Sequence, residues 1–488
     1  MSIVDKIKAL TKETGIYGLS TIIGRFLNFF LLPLYTKIFS RADYGVITNL
    51  YAFIGLFNIV FLYGMDVAYL KFASSVQDEK KKNVFATAFI SVVLSSIILS
   101  SIFLSLNKDL VILIQIPEEF KNLIFLSIGI LAFDAISGIP FAHLRLVRKA
   151  KNFALIKLAN IILNVLLNVI LILKYNLGIE AVFISNICAS IFSFALLIPT
   201  IKINFRISFN FSVLKKMLNF ALPLIPALFA SMMIRMIDKP ILMALTDAKT
   251  VGIYGANAKL GFFMMLVISM FQYAWQPFFL ENAKDKEAKK MFSKILTLFL
   301  IVLSSIWVFL TLFIKDIVTI EIMNFSIIAP AFRSGLYIVP VILLGYLFYG
   351  MYVNFMAGIF IEEKTKFIPF ITGAGGLTNV LLNILLIPYL GIMGAAIAMA
   401  ASYLIMTLSL FKVGQKHYHI DYEFSKIFYI FLSLSITGGI YYFLETNAMV
   451  IISYKIILMF VFIGLLFAFK ILNISEIKKI FTVLRKKG

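Results

Sequence analysis

The sequence predicts an all-α polytopic membrane protein of about 14 transmembrane helices, built as two six-helix lobes in parallel repeat plus two extra helices. Three observations predict this class. The first is composition, because the 488 residues are 61% hydrophobic and only 14% charged, whereas a soluble domain carries about 25% charged residues. The second is a succession of apolar stretches, each long enough to cross a bilayer. The third is a set of short motifs that recurs at one offset along the chain.

Apolar segments of about 20 residues follow one another along nearly the whole chain. They lie near residues 14–39, 44–70, 84–106, 120–142, 153–173, 178–200, 213–236, 251–278, 291–314, 335–360, 367–388, 391–413, 425–444 and 450–471. We number these spans one to fourteen. The loops between them are too short for a catalytic domain outside the membrane, and no G-x-x-x-x-G-K-[ST] or H-E-x-x-H motif is present. We therefore predict a protein that is not an enzyme and needs no cofactor.

The repeated motifs predict an internal duplication. Asn-Val-Leu-Leu-Asn occurs at 164–168 and again at 379–383, while Tyr-Gly-Val at 44–46 corresponds to Val-Gly-Ile at 251–253. The offset is roughly 210 residues, which is too long for a solenoid repeat. Each repeat contains an even number of spans, so both enter the membrane from the same side as parallel repeats.

This duplication predicts four segments of the chain. An amphipathic interfacial helix at 1–13 is followed by an N-lobe at 14–208, which contains spans one to six. A C-lobe at 209–413 contains spans seven to twelve. Residues 414–488 form an appendage of spans thirteen and fourteen with a basic tail.

The charge distribution predicts the orientation of the chain. The net charge is +21, which in a soluble protein would favour nucleic acid. Here about 32 of the Lys and Arg residues fall on one side, which the positive-inside rule assigns to the cytoplasm together with both termini. We therefore predict no nucleic-acid partner. One cysteine and three histidines are too few for a metal site, and His417 and His419 read as solvated loop residues.

Two cations stand inside apolar spans, where each costs roughly 2.5–3.5 kcal/mol unless it faces protein or water. Arg25 lies midway along span one, and Lys259 lies in the first part of span eight. Neither has an acid at similar depth on its own helix, which favours a binding site for an anionic substrate over a structural ion pair. Span one presents a mostly polar stripe formed by Thr21, Arg25, Asn28, Leu32 and Tyr35.

Other polar residues in the spans permit simpler interpretations. Arg235 and Asp238 have the i, i+3 spacing of a local structural ion pair. The asparagines at 164, 168, 379 and 383 favour helix–helix hydrogen bonding. Asp66 and Asp134 are candidates for proton or sodium coupling, but pairing with Lys71 or Arg145 is an equally good interpretation of both.

Four segments carry a resemblance to a known family. They are Phe-Ser-Arg-Ala-Asp-Tyr-Gly at 39–45, Phe-Ala-Leu-Pro-Leu-Ile-Pro at 220–226, Val-Gly-Ile-Tyr-Gly-Ala-Asn-Ala-Lys at 251–259 and Gln-Tyr-Ala-Trp-Gln-Pro-Phe at 272–278. With the 6+6+2 arrangement, they resemble the polysaccharide-exporter (Wzx-type, O-antigen flippase-like) branch of the multidrug/oligosaccharidyl-lipid/polysaccharide exporter superfamily. The resemblance implies a V-shaped pair of lobes around a cavity that opens alternately to each side.

The resemblance also implies a function. Such proteins move undecaprenyl-diphosphate-linked oligosaccharide from the inner to the outer leaflet of the bacterial cytoplasmic (inner) membrane, for O-antigen, lipopolysaccharide, capsule or exopolysaccharide synthesis. Related lipid II flippases use cations in spans one, two and eight for the diphosphate. Arg25 and Lys259 match the first and the eighth, whereas span two has no equivalent cation. The residues expected to line the cavity and contact the glycan are Asn28, Tyr35, Tyr254, Asn257 and Tyr346.

Two related functions stay open. A cation-coupled multidrug (MATE-like) exporter would favour an acidic lobe, but span one carries Arg25 instead. A lipid II flippase is disfavoured by the incomplete set of cations. The expected partners are the lipid-linked oligosaccharide and the bilayer, a polysaccharide polymerase is a further candidate, and we expect a monomer.

Overall fold

The computed structural model describes residues 23–24, 26–27, 29–322, 324–447 and 451–472. Across these residues the protein is nearly all helical. Twelve helices are long and apolar enough to cross a membrane, and Ile452–Ala468 is a shorter apolar helix. The predicted fold class is therefore confirmed. Span one is described mainly through its last helix, Leu31–Ile38, and the predicted amphipathic helix at 1–13 lies outside the described residues.

Span two begins at a well-formed N-cap and bends before it ends. The Ser40 hydroxyl accepts from the backbone of Asp43, whose carboxylate accepts in return from Ser40, a capping box. The first helix ends where Tyr63 and Gly64 adopt positive φ. The first half then comprises the helices Arg41–Leu62, Met65–Ser74, Asp78–Ser105, Asn107–Ile114, Asn122–Leu146, Ala150–Leu173 and Glu180–Asn204, with a short 3₁₀ turn at Glu118–Phe120.

Span seven is broken where the sequence places two prolines. A 3₁₀ turn at Leu222–Leu224 holds Pro223, and Pro226 lies in the first turn of the next helix, where its missing N–H costs nothing. The helices of the second half are Phe211–Ala221, Ile225–Met236, Asp238–Leu245, Ala248–Ala258, Phe262–Asn282, Ala288–Ile317, Val339–Ile361, Ile368–Leu390 and Ile392–His417. Between them lie 3₁₀ turns at Lys259–Gly261, Pro330–Ile338 and Thr365–Phe367.

The two halves pack in the same way. Span four lies against span six, five against six, three against four and two against four, and the equivalent pairs in the second half are ten–twelve, eleven–twelve, nine–ten and eight–ten. The repeated asparagines also form the same bonds. Asn168 Nδ2 donates to Asn164 O at 2.9 Å, and Asn383 Nδ2 donates to Asn379 O at 2.8 Å. The sequence repeat is therefore also a repeat of structure.

The spans end on two different faces. One face carries the ends of spans one and seven and an antiparallel pair of strands, Glu321–Ile322 with Phe325–Ser326. We call it the hairpin face. The opposite face carries the lysine-rich segments at 80–82, 145–151 and 284–294, and we call it the basic face. The appended helices Phe424–Thr446 and Ile452–Ala468 pack on span nine, outside the pair of halves.

Candidate substrate site between the halves

Lys259 lies at a break in span eight. The helix Ala248–Ala258 gives way to a 3₁₀ turn at Lys259–Gly261 before Phe262–Asn282 begins. The Lys259 side chain is exposed. Its ammonium lies 5.3 Å from the ring centroid of Tyr44 and 5.9 Å from that of Tyr35, within the range of a cation–π contact. A cation of the second half therefore faces aromatic rings of the first, and it can attract an anionic group at their boundary.

Tyr35 is held in place by the asparagines of span five. Its hydroxyl donates to Asn168 Oδ1 at 2.7 Å, and Asn168 Nδ2 in turn donates to Asn164. The side chain is buried, so the hydroxyl predicted for glycan contact is already engaged, and the ring is the part directed at Lys259. The asparagine stripe thus bonds one helix to another, the role that its composition favoured.

Asp238 is the centre of a buried network. Its carboxylate is 2% exposed, accepts from Tyr254 Oη at 2.5 Å, and pairs with Lys239 Nζ at 2.7 Å. Arg235 is exposed, and its Nε donates to Ser231 O on its own helix. The predicted pair of Arg235 with Asp238 is therefore wrong, because the helix is interrupted after Met236 and only Asp238 turns into the core.

The second half engages two further residues that were predicted to line the cavity. Tyr254 is buried on Asp238, and Asn257 Nδ2 donates to Phe332 O at 2.8 Å. Both side chains are buried in this conformation, so the prediction that Tyr254 and Asn257 line the cavity is corrected. Tyr346 is half-buried and packs over Gly261, beside Lys259, with its ring centroid 6.0 Å from that of Tyr403.

The two candidate coupling acids lie in different settings. Asp66 pairs with Arg145 at 3.4 Å near the basic face, so the structure favours its pairing interpretation. Asp134 accepts from Ser190 Oγ at 2.7 Å and lies in the field of Lys157. The side chains of Asp134 and Lys157 are both exposed, although both residues lie within spans of the first half.

Among the described residues, no group of three or more His, Cys, Asp or Glu side chains is arranged to hold a metal ion.

Arg25 and Asn28 lie outside the described residues, so their roles stay predictions. Their neighbours Phe26 and Phe29 are described, and both pack on Phe262, with ring centroids 6.4 Å and 5.3 Å away. Spans one and eight are therefore neighbours one turn beyond Lys259.

Two glycines bring the halves into backbone contact at the hairpin face. A Cβ on Gly45 would lie 1.8 Å from Ala248 O, and a Cβ on Gly252 would lie 2.0 Å from Arg41 O. The two contacts are equivalent in the repeat, because 41 and 45 correspond to 248 and 252. Spans two and eight thus cross with no room for any side chain, and the halves are closed on this face.

The strand pair adds a second closure on the same face. Lys37 Nζ, at the end of span one, donates to Asn324 O at 2.5 Å and lies 4.3 Å from the ring centroid of Phe325. The backbone N–H of Ala329 donates to Thr36 Oγ1 at 3.2 Å. A segment of the second half is therefore bonded directly to the first.

Sequence reasoning missed three of these features. Lys239 stands next to Asp238, but helical spacing drew attention to Arg235. Gly45 and Gly252 were visible as a repeat, although a glycine in a repeated motif does not show that two backbones touch. The contact of Lys37 with the hairpin had no signal, because the partners are 287 residues apart.

Across the described residues, the fold is that of a multi-pass helical membrane protein with polar residues between its two halves. A family model described as "Polysaccharide biosynthesis protein" matches residues 34–323. That range is more than half of the chain, so the chain belongs to the polysaccharide biosynthesis protein family, as the motif resemblance indicated. A comparison with curated proteins finds no match.

Solved structures with a similar fold include a flippase and multidrug transporters. The lipid II flippase MurJ in an inward closed conformation is 17% identical, with a TM-score of 0.75 over 93% of this chain and 97% of its own. An inward-facing multidrug resistance MATE family transporter of the MOP superfamily is 11% identical, with a TM-score of 0.65 over 83% and 94%. A Vibrio cholerae MATE transporter in its bent form is 13% identical, with a TM-score of 0.55 over 84% and 96%. At these identities the likeness establishes the fold alone.

Proposed function

We propose that the protein is a flippase that moves undecaprenyl-diphosphate-linked oligosaccharide repeat units from the inner to the outer leaflet of the bacterial cytoplasmic membrane, by alternating access, for surface polysaccharide synthesis. Membership of the polysaccharide biosynthesis family supports the class. The observation that carries the proposal is Lys259, an exposed cation at the boundary between the halves. It is not an enzyme in this proposal, since no bond is made or broken.

A diphosphate fits this position because it is anionic and bears many acceptor oxygens, while a lysine ammonium offers three donors and a compact charge. We propose that Arg25 acts with Lys259, because its neighbour Phe26 packs on Phe262, three residues beyond Lys259. Asn28 and the rings of Tyr35 and Tyr346 are the proposed glycan contacts. The lipid tail stays in the bilayer.

The membrane potential favours outward movement of the negative headgroup, by roughly 2.3 kcal/mol per charge per 100 mV. Ion coupling is therefore an addition rather than a requirement. If a proton or sodium ion is coupled, we propose Asp134 as its site and not Asp66, since Asp66 is already paired with Arg145. In the proposed orientation both termini are cytoplasmic, the protein acts as a monomer, and a polysaccharide polymerase uses the product.

The first test measures the sidedness of lipid-linked glycan in cells lacking the protein. We expect undecaprenyl-diphosphate oligosaccharide to accumulate on the inner leaflet and surface polymer to disappear. Accumulation of lipid II instead would identify a lipid II flippase. Unchanged lipid-linked glycan with raised drug sensitivity would overturn the proposal in favour of a multidrug exporter.

The second test is Lys259→Ala, compared with Lys249→Ala as a matched control. Both lysines are exposed and on span eight, but Lys249 lies at its start, on the hairpin face. A charge-assisted bond to phosphate contributes about 1.5–3 kcal/mol, so we expect transport by Lys259→Ala to fall at least about tenfold. Lys259→Arg should retain much of it. Equal transport by the Lys259→Ala and Lys249→Ala proteins, at equal expression, would exclude the cationic site.

A further inference from the structure

A groove of about 750 Å³ lies between spans nine, ten and thirteen, away from the site between the halves. Span thirteen supplies one wall through a stripe of residues at three- and four-residue intervals, which places them on one face of the helix. These residues are Phe431, Leu434, Ser435, Gly438, Gly439, Tyr442 and Glu445. Facing them are Trp307 and Ile314 of span nine and Val341, Leu344 and Phe348 of span ten. The lining is mostly apolar.

The length of the groove matches one leaflet of a bilayer. Phe431 and Glu445 are 14 residues apart on one helix, which corresponds to about 21 Å of helix rise. A bilayer is about 40–45 Å thick when its headgroup regions are included, so one leaflet contributes roughly 20–23 Å. The groove therefore begins at the membrane surface and ends near the midplane, as the chain of a single lipid does.

The end of the groove at the hairpin face carries a charge pair of both signs. Lys315, near the end of span nine, pairs with Glu445, near the end of span thirteen. Half of the Lys315 side chain and a third of the Glu445 side chain stay exposed, so each retains free donor or acceptor positions. Tyr337, Tyr441 and Tyr442 surround this end, as aromatic residues do at the level of lipid headgroups.

Gly438 and Gly439 keep the groove open. A Cβ on Gly438 would lie 3.0 Å from the Trp307 ring, whereas a Cβ on Gly439 would meet no atom within 4 Å. A larger side chain at 439 would therefore project into the groove without clashing with the protein.

We propose that this groove binds one zwitterionic phospholipid of the leaflet on the hairpin face, with an acyl chain along span thirteen and a phosphoethanolamine headgroup on the Lys315–Glu445 pair. The phosphate accepts from Lys315 while the ammonium donates to Glu445. An anionic headgroup satisfies only the lysine and is repelled by the carboxylate. A trimethylammonium headgroup has no N–H to donate to Glu445. The site is independent of the proposed flippase function.

The test is native mass spectrometry of the full chain in detergent, with phosphatidylethanolamine, phosphatidylglycerol and phosphatidylcholine added singly. We expect one phosphatidylethanolamine to be retained in preference to the other two lipids. Gly439→Leu should lower its occupancy at least fivefold. Gly464→Leu is the matched control, because Gly464 is an exposed glycine of span fourteen, outside the groove, where a Cβ would also meet nothing.

Glu445→Gln separates the headgroup from the chain. It should remove the preference for phosphatidylethanolamine over phosphatidylglycerol while leaving a lipid bound. Ser435→Leu, one turn away on the same face, is the second groove-filling variant if Gly439→Leu fails to fold. Equal retention by wild type and both groove variants would overturn the proposal, as would recovery of an isoprenoid lipid or a protein subunit in place of a phospholipid.

Discussion

At the scale of single residues, two buried polar groups are bonded to partners in another span. Asp238 holds Lys239 and Tyr254, and Tyr35 holds Asn168. A buried charge that loses its partner is costly. These networks therefore position the tyrosines, and Lys259, whose side chain stays exposed beside them, is available to an incoming anion.

Removing the Tyr254 hydroxyl tests the Asp238 network. Tyr254→Phe deletes a hydrogen bond to a charged acceptor, so we expect the free energy of unfolding to fall by about 1.5–3 kcal/mol. Asp238→Ala should cost about 3–5 kcal/mol, because it strands the Lys239 ammonium. Denaturation in detergent measures both, with Tyr175→Phe, at an exposed tyrosine, as the control. A loss in Tyr254→Phe no larger than in Tyr175→Phe would contradict the network.

Asp247 makes stability depend on pH at the start of span eight. It is the N-cap and accepts from Thr250 N at 2.7 Å, and this bond, aided by Lys249, holds the pKa of the Asp247 carboxyl below its ordinary value. A lowered native pKa contributes stability that is fully present above the unfolded value of about 3.9 and is lost as the pH falls through the native one.

We therefore expect Asp247→Ala to cost about 1 kcal/mol near neutral pH. The difference from wild type should shrink in strongly acidic buffer, below the unfolded value of about 3.9. Thermal melts at several pH values measure this difference in stability. Asp247→Asn is the control, because asparagine can still accept the N-cap hydrogen bond but carries no charge. A difference that stays constant down to that range would show that the carboxylate charge is not involved.

At the scale of secondary structure elements, the crossing of spans two and eight and the strand pair close the hairpin face together. The first contact is made by backbone atoms, which permit no side chain between them. The second is made by side chain–backbone bonds of Lys37 and Thr36. A transport cycle that opens this face must break both.

Adding one methyl group tests the crossing. In Gly45→Ala or Gly252→Ala the new Cβ collides with a carbonyl oxygen of the partner span, so we expect the hairpin face to open more often. Labelling of a cysteine in place of Thr48, whose side chain already packs against Gly255 beside the crossing, measures this opening in a background with Cys188 replaced. Gly373→Ala is the control, because a Cβ there meets nothing within 4 Å.

In the double variant Gly45→Ala/Gly252→Ala, the increase in labelling rate should be smaller than the sum of the increases in the two single variants, because both changes break the same contact. Labelling of either single variant at the wild-type rate would contradict the assignment of this crossing as a closure.

At the scale of the whole molecule, charge separates the two faces. Lysine-rich segments at 80–82, 145–151 and 284–294 lie together on the basic face, opposite the hairpin. From the positive-inside rule we propose that the basic face is cytoplasmic and that the hairpin face is on the outside. This orientation directs the proposed transport outward.

Cysteine labelling of intact cells tests the orientation. With the exposed Cys188 replaced by serine, we expect Asn324→Cys, on the hairpin face, to react with a membrane-impermeant reagent. Lys81→Cys, on the basic face, should react only after the cells are opened. The reverse pattern would invert the molecule and with it the direction of transport.

The sequence by itself determined the class, the duplication and the family, because these depend on composition, span length and motif order, which are local properties of the chain. It also identified Lys259, since a cation in an apolar span is visible without any contact. The tertiary structure decided which partner each polar residue has. Asp238 forms its ion pair with Lys239 instead of Arg235, and Asp66 forms one with Arg145. Gly45 lies against the backbone carbonyl of Ala248. The first choice depends on the interruption of the helix after Met236. The other two depend on distances between segments far apart in the chain, about which helical spacing carries no information.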